Sequence, residues 1–191
     1  MQSRRSFLQK TALATTALGL FPAGQYAFDA PRHEGPLRVG LIGVGLRGTN
    51  HLGNLLLRDD VTITALCDTD PSRLELCRQH IREAGKPGVV TFGEHPYSYR
   101  DLLALENVDA VVISTPWQWH TPMAVDAMKA GKFTGLEVSA AMTLEECWDL
   151  VNTHEATGTH LMLLENVNYR RDILAVLRMV RVILDIDLRE T

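Results

Sequence analysis

Gly43, Gly45 and Gly48 stand in the hexapeptide Gly43-Val44-Gly45-Leu46-Arg47-Gly48, directly after the apolar run Leu37 to Ile42. Asp68 follows twenty positions beyond Gly48. In a strand-turn-helix unit these residue types do three separate jobs. The first glycine allows a tight turn, the second lets backbone approach a diphosphate, and the third lets helix and strand pack closely. The diphosphate then rests on free N–H groups and the positive end of the helix dipole. An acidic residue at the spacing of Asp68 binds ribose hydroxyls, so the chemistry implied is dinucleotide binding, with NAD favoured over NADP by the carboxylate. A glycine turn alone also suits an ordinary α/β connection. Here the flanks decide, because Leu37 to Ile42 and Val61 to Cys67 both read as buried parallel strands.

The elements that must position these residues alternate along the chain. A helix is expected from Pro71 to about Ala84, with Asp70 as N-cap and Gly85 near its end. Val89 to Phe92 reads as a third strand, Tyr99 to Leu103 as a helical turn, and Val108 to Ser114 as a fourth strand. Thr121-Pro122 is expected to cap and start a helix running to Ala130, closed by Gly131. A fifth strand spans Phe133 to Glu137, Thr143 to Glu146 forms a capping box for a helix to Thr157, and His160 to Leu164 reads as a sixth strand. Apolar residues Ile173, Leu174, Leu177 and Val180 mark a last helix from Arg171 to Val182. This alternation predicts an α/β fold with a doubly wound, mostly parallel sheet, the Rossmann arrangement.

Ligands of such sheets sit beyond the carboxyl ends of the strands. Three unusual segments fall there: Thr115-Pro116-Trp117-Gln118-Trp119-His120, Glu137-Val138 and Glu165-Asn166. Two tryptophans in a loop must pack on something, either a nicotinamide and its ribose or the domain's own core. The imidazole of His120 is of a type that moves protons near neutral pH, although positioning a cofactor is its expected task.

The rest of the chain limits the alternatives. At 191 residues it suffices for one domain with a sizeable core and is short for two. The net charge of −4, with Lys and Arg scattered, gives no stripe for nucleic acid, so small molecules are the expected ligands. Cys67, Cys77 and Cys147 form no CxxC and read as core cysteines, and the dispersed His residues predict no metal site. Ser3-Arg4-Arg5-Ser6-Phe7-Leu8-Gln9-Lys10 is a twin-arginine export pattern, followed by an apolar run, Thr11 to Phe21, too short for a stable membrane anchor. The expected organisation is a signal segment over 1–30, cut between Ala23 and Pro31, a dinucleotide-binding domain over 36–168, and a helix leading onward over 169–191. Export by the twin-arginine machinery, to the periplasm or otherwise out of the cytoplasm, is therefore expected. That route carries folded proteins, so a nucleotide could be bound beforehand.

The set Gly43 to Gly48, Cys67-Asp68, Ser114 to His120, Glu137-Val138 and Glu165-Asn166-Val167-Asn168 resembles the glycoside hydrolase family 109 branch of the Gfo/Idh/MocA oxidoreductase-like superfamily. Many dehydrogenases of that superfamily carry Glu-Lys-Pro after the fifth strand; here Glu137-Val138-Ser139 stands instead, which argues against a plain sugar dehydrogenase. The resemblance implies an NAD-dependent glycosidase acting on α-N-acetylgalactosaminides. In that chemistry C3 of the sugar is oxidised by hydride transfer to tightly held NAD+, and the ketone acidifies the C2 proton. A base removes that proton, the aglycone leaves C1, water adds, and the hydride returns. Paired carboxylates are not required. The resemblance places cofactor contacts at Leu46, Arg47, Asp68, Trp117, Gln118, Trp119, His120, Glu137, Val138 and Asn166, beside the glycines Gly43, Gly45 and Gly48. It assigns none of them as catalytic base.

The family's second, α+β domain, which holds the sugar and supplies catalytic groups, should follow the helix ending near Arg181. Instead the chain reads Val182 to Thr191, and its final AspLeuArgGlu resembles a family segment normally reached later. The expectation is a chain shortened by a deletion or frameshift, with a complete cofactor site, an incomplete sugar site and exposed apolar surface. Two other readings remain: a superfamily sugar oxidoreductase releasing NADH, and a noncatalytic NAD-binding remnant. Oligomeric state is left open by the sequence.

Overall fold

The computed structural model describes residues 35–167 and 170–187. The chain divides into two units, 1–34 and 35–191; the first, which holds the twin-arginine segment, lies outside the described residues, as do the last four positions.

Six strands form one sheet in the order β3-β2-β1-β4-β5-β6, all neighbours parallel. They are β1 (Leu37–Ile42), β2 (Val61–Cys67), β3 (Val90–Phe92), β4 (Ala110–Ile113), β5 (Phe133–Leu136) and β6 (Leu161–Leu163). The helices are α1 (Leu46–Leu56), α2 (Pro71–Glu83), α3 (Tyr99–Leu103), α4 (His120–Lys129), α5 (Leu144–Thr157) and α6 (Arg171–Asp187). The doubly wound expectation is met, and the sheet is parallel throughout. The order reverses direction between β1 and β4, where a ligand crevice forms in such sheets.

Strand alternation sends successive side chains to opposite faces, and each face has its own core. Val39 and Leu41 join Leu52 of α1 and Leu74, Cys77 and Ile81 of α2 on one side. Ile42, Val111 and Ile113 join Tyr99 and Leu102 of α3 and Met123 and Ala127 of α4 on the other.

Register sets up the functional edge. Ile42 pairs with Cys67 and with Ile113, Ile113 with Leu136, and Leu136 with Leu163. The residues just past the strands, Gly43, Asp68, Ser114 and Glu137, therefore line up across one edge.

Local signals mostly act as read. Asp70 caps α2 by accepting from Ser72 N–H, and Thr143 and Glu146 complete a capping box on α5. Two readings need correction. Thr121 does not cap α4: a 3-10 turn, Trp117–Trp119, feeds straight into a helix that begins at His120, and the buried Thr121 hydroxyl donates to Ala140 O at 3.0 Å. Pro122 is tolerated because the first-turn N–H groups have no intrahelical partner. Cys147 is exposed rather than core, unlike the buried Cys67 and Cys77, because Thr153 is the one buried residue of α5.

Leu144, Trp148 and Val151 of α5, and Val176, Leu177 and Met179 of α6, all lie open to solvent.

Candidate functional site

Two of the three glycines carry the backbone constraints assigned to the turn. Gly43 has φ of 82°, and a Cβ there would stand 2.7 Å from Ser114 O. A Cβ on Gly48 would overlap Gly43 O outright, so the start of α1 packs directly on the end of β1. Gly45, the N-cap of α1, is the opposite case, because nothing lies within 4 Å of where its Cβ would be.

That open space belongs to a cleft of about 280 Å³ at the carboxyl edge of the sheet. Gly43 and Gly45 form its floor, Asp68 and Thr69 one side, and Ser114 and Thr115 the other. Its outer wall is His95-Pro96 together with Trp119. Trp119 meets Tyr97 edge to face, with ring centroids 5.5 Å apart, and also packs against the core. That tryptophan thus packs on the domain's own core and also lines the cleft.

Asp68 is already engaged before any ligand arrives. Val44 N–H donates to its Oδ2 at 2.7 Å and Asp70 N–H to its Oδ1 at 3.0 Å. A carboxylate has about four acceptor sites, so capacity for ribose hydroxyls remains. The side chain therefore orders the glycine turn as well as facing the cleft. Replacing it with alanine is expected to weaken NAD binding by about tenfold or more, the worth of a hydrogen bond to a charged group. Isothermal titration would read the loss, and unchanged affinity would remove Asp68 from the ribose site.

Arg47 and Glu137, ninety residues apart, are brought together. Arg47 Nε donates to Glu137 Oε1 at 2.6 Å, and His51 Nε2 lies 2.6 Å from the same oxygen. Arg47 and His51 are four apart on α1, hence on one face. They tie the helix that begins at the cradle to the end of β5. Burial pushes the Glu137 carboxyl up, but hydrogen bonds and charge from Arg47 and His51 outweigh it and hold it below the usual carboxylate range. Glu137 is thus an ionised acceptor. His51 escaped the sequence reading because nothing local distinguishes it from a surface histidine.

His120 is buried, and both ring nitrogens face backbone carbonyls: Nδ1 is 2.6 Å from Ser139 O and Nε2 is 2.8 Å from Thr115 O. A neutral ring can donate to only one of them. With Thr121 it staples the loop after β4 to the loop after β5, so it shapes the cleft from behind rather than lining it. Leu46, Trp117, Gln118, Val138 and Asn166 are exposed and outside the cleft's immediate lining; Trp117 is 61% exposed. Thr69, His95 and Ser114 are lining residues that the sequence reading did not assign. Ser114 could have been found by asking which residue follows each strand; His95 could not, because its loop has no local signature.

The cleft fits a dinucleotide on three observations: the unfilled cradle over Gly45, the carboxylate at the β2 end, and a buried Ser114 hydroxyl without a partner. Comparison with known proteins agrees. Residues 37–164 match the family described as "Oxidoreductase family, NAD-binding Rossmann fold". The chain is 46% identical over 197 residues to an α-N-acetylgalactosaminidase of Tannerella forsythia, covering 94% of this chain and 42% of that protein. It is 43% identical over 192 residues to a glycosyl hydrolase family 109 protein of Parabacteroides distasonis, covering 94% and 41%. The chain thus spans about two-fifths of the length of these relatives. Among solved structures, the WlbA dehydrogenase of Bordetella pertussis, in complex with NADH and UDP-GlcNAcA, superposes with a TM-score of 0.65 at 25% identity, covering 76% of this chain and 42% of that one. With this match, this fold and this cleft, the chain belongs to the Gfo/Idh/MocA oxidoreductase family and carries its NAD-binding domain.

Proposed function

We propose that the protein acts as an NAD-dependent glycosidase of the family 109 type, hydrolysing α-N-acetylgalactosaminides with NAD recycled in each turnover. The observation that carries the reading is the segment after β5. Glu137-Val138-Ser139 offers no lysine to the reaction, and Glu137, locked to Arg47 and His51, is held as an anion that accepts hydrogen bonds. Bound NAD supplies a hydride acceptor and donor that ends each turnover unchanged. The chain's own residues do the holding. The glycine turn and the N-terminus of α1 seat the diphosphate, Asp68 faces the ribose, and Trp119 closes the outer wall against water. The catalytic base is expected from the second domain of the family, not from the residues of this cleft.

The discriminating experiment incubates the protein with a chromogenic α-N-acetylgalactosaminide, and separately with a panel of sugars plus NAD. Release of aglycone without net NADH is the expected result once the chain is joined to the family's second domain, which supplies the base. Stoichiometric NADH without cleavage would instead favour the sugar oxidoreductase reading, which the superposition on a sugar-nucleotide dehydrogenase supports. NAD that copurifies with a protein turning over neither substrate would mark a nucleotide-binding remnant. Export to the periplasm is proposed from Ser3 to Lys10 alone. Replacing Arg4 and Arg5 by lysine should keep the protein in the cytoplasm on cell fractionation, and unaltered export would sink that proposal.

A further inference from the structure

Among the described residues, two buried side-chain oxygens lack any hydrogen-bond partner, Thr64 Oγ1 and Ser114 Oγ. Thr64 sits within β2 and away from the cleft. Ser114 lines the cleft, immediately past β4. A buried hydroxyl with no partner forfeits its hydration for nothing, whereas alanine would leave no such group. Such an exception calls for a partner that comes from outside the chain.

The surroundings of Ser114 say what kind of partner. Its carbonyl oxygen lies 2.7 Å from where a Gly43 Cβ would stand, and its own Cβ lies 3.7 Å from where that of Gly48 would stand. The backbone of Ser114 therefore abuts the first glycine of the turn, and its side chain the third. Ser114 N–H donates to Ile42 O at 2.9 Å, which fixes the backbone in the ladder and leaves rotation about χ1 as the freedom that remains. A hydroxyl that turns by one staggered position beside a helix N-terminus meets an anion there. Asp68 and Thr69, where the ribose is expected, line the same cleft.

We propose that the Ser114 hydroxyl is a binding group for the diphosphate of the dinucleotide, held in reserve beside the glycine turn and satisfied only when that anion is seated. It rests on occupancy of this cleft by NAD. Ser114→Ala should act in two directions, because the variant removes a liability of the empty protein and an asset of the bound one.

The test uses the full 191-residue chain, stripped of nucleotide, with NAD, ADP-ribose and adenosine as probes in isothermal titration, beside thermal melting without ligand. Affinity for NAD and for ADP-ribose should fall about tenfold in Ser114→Ala, the worth of one hydrogen bond to a charged group. Adenosine, which lacks the diphosphate, should bind both proteins equally. The ligand-free melting temperature should stay unchanged or rise by up to about 3 °C. Equal NAD affinity in variant and wild type would overturn the proposal, as would a lower ligand-free melting temperature, which would give the hydroxyl a structural role. A loss shared by adenosine would overturn the diphosphate assignment. Failure of the wild type to bind any of the three probes would overturn the NAD site itself, a result recognisable before the variant is made.

Discussion

Gly48→Ala should destabilise the protein and Gly45→Val should leave it folded but unable to hold NAD, although the two positions are three residues apart in one turn. The methyl group added at position 48 has nowhere to go: its nearest neighbour is the backbone carbonyl of Gly43, which cannot rotate away as a flexible side chain could. α1 must lift from β1. Overpacking of this kind costs about 3 kcal/mol or more, which lowers the melting temperature by roughly 6–12 °C in a chain of this size. At Gly45 the added side chain meets open space and φ is −64°, an ordinary value. The cost to the fold is about 1 kcal/mol, for losing a favourable N-cap residue. The isopropyl group, however, fills the cradle that the diphosphate must enter. NAD affinity should fall by about a hundredfold, equivalent to roughly 3 kcal/mol. Calorimetry and titration on both variants separate the two effects. If Gly45→Val binds NAD as well as wild type does, the ligand does not lie over this turn.

Glu137→Gln should cost about 1–2 kcal/mol at neutral pH, discounted because Arg47 is 42% exposed and its charge is screened by water. Glutamine keeps the shape and removes the charge that Arg47 and His51 share. The pH dependence has a definite sign. The folded-state carboxyl lies below its usual range because Arg47 and His51 outweigh the effect of burial. Its stabilising contribution is therefore complete above the ordinary carboxylate pKa and fades as pH falls through the lowered folded value. Wild type and Glu137→Gln should differ most in melting temperature above about pH 5, past the ordinary carboxylate range, and converge as pH falls through the lowered folded value. A gap that widens on acidification would contradict this account. NAD affinity should drop alongside, since the same contact ties the cradle helix to the far side of the crevice.

The sequence by itself determined the alternation of strands and helices, the doubly wound class, the close backbone packing at Gly43 and Gly48, the caps at Asp70 and Thr143, and the acidic position at Asp68. These are local matters. A strand repeats every two residues and a helix every 3.6, and a glycine is demanded wherever backbone must approach backbone. Pro122 misled for the same reason, since Thr-Pro is a good local start signal and the chain had already entered the helix through the Trp117–Trp119 turn. Only the tertiary structure decided that Glu137 is shared by Arg47 and His51, that His120 faces two carbonyls from behind the cleft, that Cys147 is exposed, and that the Ser114 hydroxyl is buried beside the glycines without a partner. Sheet order and register set those contacts by bringing the ends of β1, β2, β4 and β5 to one edge. Side chains as many as 90 positions apart meet there, a distance over which no periodicity in the chain carries information.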